Sequence, residues 1–451
     1  MTGVTLSRWS MSYFALAVLC LLGAEALMAL GVGYPATDMA APETLVLVHL
    51  VAIGWLSLLM CGALFQFVPV LVARPIHSNG LALPTLVCLV TGLALLLTGF
   101  LQLGGGPGPA WSLLPWGGAL LGLGFALALW NLGRTLWAAR PLALPARFVT
   151  VGLACLAATA LLGLSFTLVF GGASSAPPLL ALTADGLPLH VVAGFGGWLT
   201  FTAMGVSYRL LAMFMLAPEL DRASTRWAFH LGVAALAVGI IGGTLTIWLG
   251  VDPAWMLLVA ALLGMIALSL YGWDITQLYR QRKRRRIELN SRMASLALGN
   301  LAAAALLGII LAATGTLADH SGALLFLIAF GWLSGLGLAK LYKIAAFLTW
   351  LECYGPVLGK VDAPRVQDLV VEPRAACFFM LFHAVIWVGT LALLAGAPLL
   401  FRVSAIVLLL ATGAIAVELI RIRRLADVRR AIRLPQGVRQ PRLLVSMVRQ
   451  G

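Results

Sequence analysis

The sequence is short of charge. Of 451 residues only 10% are charged and 16 are acidic, while 61% are apolar. An ordinary soluble domain is about 25% charged. Too few polar side chains exist to cover a soluble particle of this length, which excludes a soluble enzyme and a disordered chain. Cysteine is equally scarce. Cys20, Cys61, Cys88, Cys155, Cys353 and Cys377 form no C-x-x-C pair and mostly lie in apolar runs. That spacing excludes a disulfide scaffold and reads as small buried hydrophobes. There are six histidines, at 49, 77, 190, 230, 320 and 383, and no two are adjacent.

What is abundant is long apolar sequence, the composition of an all-α polytopic membrane protein. Crossing a bilayer takes roughly 20 helical residues. Twelve stretches qualify, near 11–33, 45–67, 80–102, 112–133, 148–171, 188–210, 227–249, 255–277, 294–314, 322–343, 375–396 and 399–420. Helices are expected because they satisfy their own backbone groups in lipid. The breaks carry loop chemistry, as in Gly104–Pro109, Ser174–Pro178 and Val251–Pro253. The first apolar run lacks a small-residue cleavage site after it and reads as a retained span.

The net charge of +14 would suggest nucleic acid in a soluble protein. Here it reads as topology. Every Lys and Arg except Arg402 falls in alternate loops or at the span ends facing them. The runs peak at Arg280–Arg286 and in the basic tail, 421–451. The positive-inside rule then places both termini in the cytoplasm of a cell with an inner (plasma) membrane, with anionic lipid as the neighbour and no nucleic-acid partner. The tail after Arg421 reads as an interfacial amphipathic helix ended by Leu434-Pro435.

An internal repeat is visible within this single transmembrane domain. Span two carries Gly54-Trp55, span six Gly197-Trp198 and span ten Gly331-Trp332. Aligning these pairs brings Phe65, Tyr208 and Tyr342 into register, followed by Gln66, Arg209 and Lys343. The expectation is three four-helix units, near 1–140, 141–285 and 286–425. Gly beside Trp allows close helix approach while the indole fills the gap. The aromatic-plus-polar pair marks the cytoplasmic interface.

Polar residues that lipid should exclude are the candidates for chemistry. His49, His190 and His320 begin the three repeated helices on the outer side. They precede the Gly of each pair by 5, 7 and 11 residues (54 − 49, 197 − 190, 331 − 320). At helical phase His190 and His320 share a face and His49 does not, so a symmetric three-histidine ring is not expected. His383 lies near the middle of span eleven. A neutral imidazole there binds iron or copper, relays a proton, or simply bonds a carbonyl. His77 and His230 read as interfacial. Glu25, in the outer half of span one, must pair, protonate or face water, and steadying an imidazole is one such role. Asn131, Asn300 and Asp274 are assigned no chemistry.

Twelve spans, the threefold layout and a histidine in the outer part of span two resemble subunit I of the heme-copper oxidases. The stretch from His49 through Gly62, Gln66 and Pro69 is similar to that family's second span. The resemblance covers nearly the whole chain in layout and is specific in motif around span two. It implies an oxidase-like bundle holding heme b, with His49 as axial ligand, His320 or His383 as the second ligand, His190 toward copper and Glu25 behind them. The departures are that no His-His pair follows span six, and that span ten carries one histidine where the family has two. A complete oxygen-reducing centre is therefore not expected. The neighbourhood is the divergent branch that includes NnrS-type heme- and copper-binding proteins linked to nitric oxide tolerance. The implied role is respiratory electron transfer or nitric oxide handling, with respiratory-chain components as partners. From the residues alone, a proton-coupled or metal-handling transporter without a redox cofactor stays open, as does a purely structural partner of a respiratory complex.

Overall fold

The computed structural model describes residues 8–446. Among these, twelve helices are long and apolar enough to cross a bilayer, and the chain is an all-α polytopic membrane protein. Spans one to six are Ser10–Leu30, Pro42–Val72, Asn79–Leu103, Leu114–Ala138, Leu144–Phe170 and Leu187–Met215. Spans seven to twelve are Ala223–Trp248, Ala254–Arg280, Leu289–Ala313, Ser321–Val357, Glu372–Leu394 and Pro398–Arg423.

Local chemistry explains the ends. Spans two, four, five, six, eleven and twelve each carry proline within their first two positions. The missing N–H costs nothing there, because the first turn has no carbonyl to give it. Span one ends at Gly31, whose φ of 78° is the left-handed cap conformation. The Arg402 side chain donates to the carbonyls of Ala29 and Leu30 at this cap. The lone basic residue that broke the charge pattern thus sits on a helix C-terminus, where a cation is favoured.

Two boundaries differ from expectation. The segment containing Pro177-Pro178 is not all loop, since Pro177–Asp185 forms a helix that begins on those prolines. Its Leu182 packs with Leu162, Leu189 and Ile247. Span ten runs to Val357, well past the expected 343, so Tyr342 and Lys343 lie within it and not at its end.

Four helical segments widen to π-helix, at Leu50–Ser57, Val192–Phe201, Val238–Gly242 and Leu327–Ser334. Three of them contain the Gly-Trp pairs of spans two, six and ten. Trp55, Trp198 and Trp332 are all fully buried. Ser57 and Ser334, each two residues after its tryptophan, donate to the carbonyl five residues back, Ala52 at 2.8 Å and Ala329 at 2.7 Å. A π-turn leaves carbonyls short of their usual amide partner, and these hydroxyls supply a donor.

The chain divides into two compact units. The described part of the first is Leu64–Arg286, and that of the second joins residues 8–63 to 287–446. One boundary therefore falls where a third repeat is expected to begin, and the other cuts span two. In the first unit, spans three and four lock by glycine. A Cβ on Gly92 or Gly117 would meet the backbone nitrogen of Leu121 or Leu96 at 2.7 or 2.6 Å. Gly99 and Gly124 likewise face Leu114 and Leu89. The four pairs share one antiparallel register, with glycine on each helix opposite leucine on the other.

In the second unit, Trp55 Nε1 donates to Ser334 Oγ at 2.8 Å and joins the π-segments of spans two and ten. Beyond Arg423 the chain turns at Leu425, forms one short helix at Arg430–Arg433 and then runs without helix to Ser446. The expected amphipathic helix is absent from 421–446. Leu425 and Val428 have helical spacing, but they pack into a small core with Cys353, Tyr354 and Leu369 instead. None of the six cysteines is bridged; Cys61, Cys155 and Cys353 are buried, whereas Cys377 is exposed.

Candidate functional site

His49 ends the α-helical start of span two, and the π-segment begins at Leu50. Its Nδ1 lies 2.8 Å from the Leu45 carbonyl oxygen. A carbonyl only accepts, so Nδ1 carries the proton, and in the neutral ring Nε2 holds the lone pair. That is the usual posture of a ligating histidine, with the far nitrogen donating to the backbone.

His383 is held the opposite way. It is 5% exposed in the middle of span eleven, and its Nδ1 is 3.2 Å from Asn300 Nδ2. The orientation of the Asn300 amide follows from its other partners. Its Oδ1 accepts from Trp387 Nε1 at 3.1 Å, and its Nδ2 donates to the Gly331 carbonyl at 3.0 Å. Nδ2 therefore donates to His383 as well, so His383 Nδ1 accepts and Nε2 carries the proton. This Nε2–H is buried without a partner. Gly335 makes room for the ring, since a Cβ there would stand 2.7 Å from His383 Cε1. As placed, His383 presents an N–H, whereas a metal ligand would need a lone pair there.

Glu25 is fully buried, with Oε1 accepting from Thr412 Oγ1 at 2.8 Å and Oε2 without a partner. It does not bond His49, so the structure gives it no positioning role there. His320 precedes span ten, not within it. Its carbonyl accepts from Ala323 and Leu324 in the first turn, and no hydrogen bond or ring contact joins any two of His49, His320 and His383.

In the first unit, His190 packs edge-on to Phe166 and close above Gly163. The expectation that His190 and His320 share a helix face does not hold. It assumed α-helical phase, but the π-segment between His190 and Gly197 changes the rotation per residue, and His320 is outside the helix. Among the described residues, no three His, Cys, Asp or Glu side chains come together in a way that could hold a metal ion. The donor set for copper is not gathered at His190, and no step is assigned to that metal.

Three polar centres were not expected. Asn300 is a hub and not a bystander. Lys340 is 8% exposed within span ten. Asp274, fully buried, accepts from Tyr208 Oη at 3.0 Å and Ser224 Oγ at 2.6 Å. The repeated aromatic-polar position is also more engaged than an interfacial anchor. Lys343 pairs with Glu288 at 2.8 Å and Arg209 pairs with Glu219, while Tyr342 is buried.

The chain matches no protein-family model, and no curated protein matches it.

Proposed function

We propose that this is a heme-binding integral membrane protein of the oxidase-like class, which holds heme b through His49. The face carrying the basic loops is cytoplasmic in this reading, by the positive-inside rule. The observation that carries it is the Nδ1–H to Leu45 carbonyl bond, which orients the His49 ring and makes Nε2 the lone-pair nitrogen within an apolar bundle. The buried Gly-Trp pairs and matching π-segments of spans two, six and ten support the repeated layout on which the resemblance rests. Of the other histidines, His383 does not fit as second ligand, because Asn300 fixes its proton on Nε2. His320 does not fit inside the bundle either. The reading is therefore single-histidine ligation.

Heme held by His49 would supply a redox-active iron, in keeping with nitric oxide handling or electron transfer. Heme extraction from purified wild type, His49→Ala and His383→Ala tests this. Heme content should fall sharply in His49→Ala and persist in His383→Ala. Loss in His383→Ala alone would move the ligand to span eleven.

A second reading is a proton-coupled transporter without a redox cofactor. Glu25 Oε2 and His383 Nε2–H favour it, since both are buried in spans without a partner. Iron-free protein that accumulates a substrate in proteoliposomes would support this reading against the first.

A further inference from the structure

The arginines at and beyond the end of span twelve, with Arg374 of span eleven, fall into two sets. The first is consumed by the protein. Arg374 grips Glu418 through two bonds of 2.6 and 2.7 Å and reaches Asp427 at 2.7 Å, and Arg421 holds the other Asp427 oxygen at 2.6 Å. Buried Arg423 pairs with Glu352 at 2.9 Å and donates to the Arg442 carbonyl. Arg433 donates to the Ala426 and Val428 carbonyls. The second set is Arg424, Arg429, Arg430, Arg439 and Arg442. All are exposed, and their side chains make no hydrogen bond or ion pair among the described residues. The one acid in 424–446, Asp427, is already occupied by the first set.

The position of this strap matters as much as its charge. The Tyr354 hydroxyl donates to the Arg433 carbonyl at 2.7 Å, which fastens the strap beneath span ten. Ser12 Oγ donates to the Leu444 carbonyl at 2.6 Å, and the Ser446 amide donates to the Arg8 carbonyl at 3.0 Å. The strap thus runs from the C-terminal end of span twelve to the N-terminal end of span one. Leu434, Leu443 and Leu444 are 47%, 42% and 54% exposed along it. Ser12 lies two residues inside span one, so the Leu444 carbonyl lies beside the first turn of that apolar helix, and bare leucine at the end of a membrane-spanning helix suits lipid and not water.

We infer that the outward side of the 424–446 strap is a docking surface for anionic phospholipid headgroups of the adjoining leaflet. The unpaired arginines meet the phosphates and the exposed leucines enter the acyl boundary. The place of the leucines at that helix end favours lipid over a soluble acidic partner.

Hydrogen exchange tests this on the full chain in nanodiscs. One set is phosphatidylcholine alone, and the other is equal parts phosphatidylcholine and phosphatidylglycerol. Strap amides should exchange more slowly in the anionic discs by at least about fivefold, the factor expected for a single arginine near an anionic surface. The variant R424Q/R429Q/R430Q/R439Q should lose that difference and keep the slow exchange of the spans. Equal exchange in both discs, or protection retained in the variant, overturns the inference. So does the same slowing by a soluble polyanion in neutral discs, which would point to a macromolecular partner. If the variant does not fold, raising the salt on wild type in anionic discs decides: restored exchange supports lipid docking, and no response overturns it.

Discussion

Gly117→Ala tests the packing of spans three and four. A Cβ at this position would lie 2.6 Å from the Leu96 nitrogen, 2.9 Å from its Cα and 3.1 Å from the Leu95 carbonyl carbon. These are backbone atoms and cannot swing aside. Restoring ordinary contact requires span four to move off span three by roughly 0.8 Å, and overpacking of this kind costs about 1–3 kcal/mol. Gly122, on the same helix, has nothing within 4 Å of an added Cβ. Both substitutions gain the same helix propensity, about 1 kcal/mol. That gain cancels in the comparison, so Gly117→Ala should be less stable than Gly122→Ala by about 1–3 kcal/mol. Thermal or denaturant unfolding of the two variants in one detergent measures the difference. Equal stabilities, or a more stable Gly117→Ala, would refute the glycine-to-leucine register.

Ser334→Ala removes the acceptor of the buried Trp55 N–H and should destabilise the second unit by about 1–3 kcal/mol, with little change for Ser165→Ala, an exposed hydroxyl, in the same unfolding assay. Asn300→Asp leaves an acceptor where His383 Nδ1 now finds a donor. The proton should move to Nδ1, and the nitrogen shifts of labelled His383 would report the change. At Asp427, burial pushes the carboxyl up, but hydrogen bonds from Arg421 and Arg374 outweigh it and hold the group below the usual carboxylate value. A lowered folded value stabilises above the unfolded value and is lost as pH falls through the folded one. The strap should therefore stay protected at neutral pH and loosen only in acid below about 4. Asp427→Asn should loosen it at neutral pH and remove the loosening in acid, as read by hydrogen exchange over 424–434.

The spans were legible because apolar run length and loop charge are enough to place a helix across lipid. Twelve were expected and twelve are present among the described residues. Trp55, Trp198 and Trp332 stood out as a repeated Gly-Trp pattern, but the π-turns around them did not. A π-turn uses nearly α-helical dihedrals and ordinary apolar residues, so no residue type announces it. That hidden turn defeated the face arithmetic for His190. Tyr342 and Lys343 were read as marking the end of span ten, whereas the helix continues to Val357. Asn300 gave no signal in the chain, since its role depends on Trp387, Gly331 and His383, which come from two other helices. The tail misled because Leu425 and Val428 have helical spacing, while the ion pairs of Asp427 and the core around Tyr354 fold them back onto the protein.

The central claim, heme held by His49, is tested most directly by the reduced-minus-oxidised absorbance spectrum of the purified full-length protein beside its His49→Ala variant. The account predicts a b-type heme spectrum in wild type that is lost or shifted in the variant. A colourless, iron-free wild type, or a heme spectrum unchanged by removing His49, would contradict it.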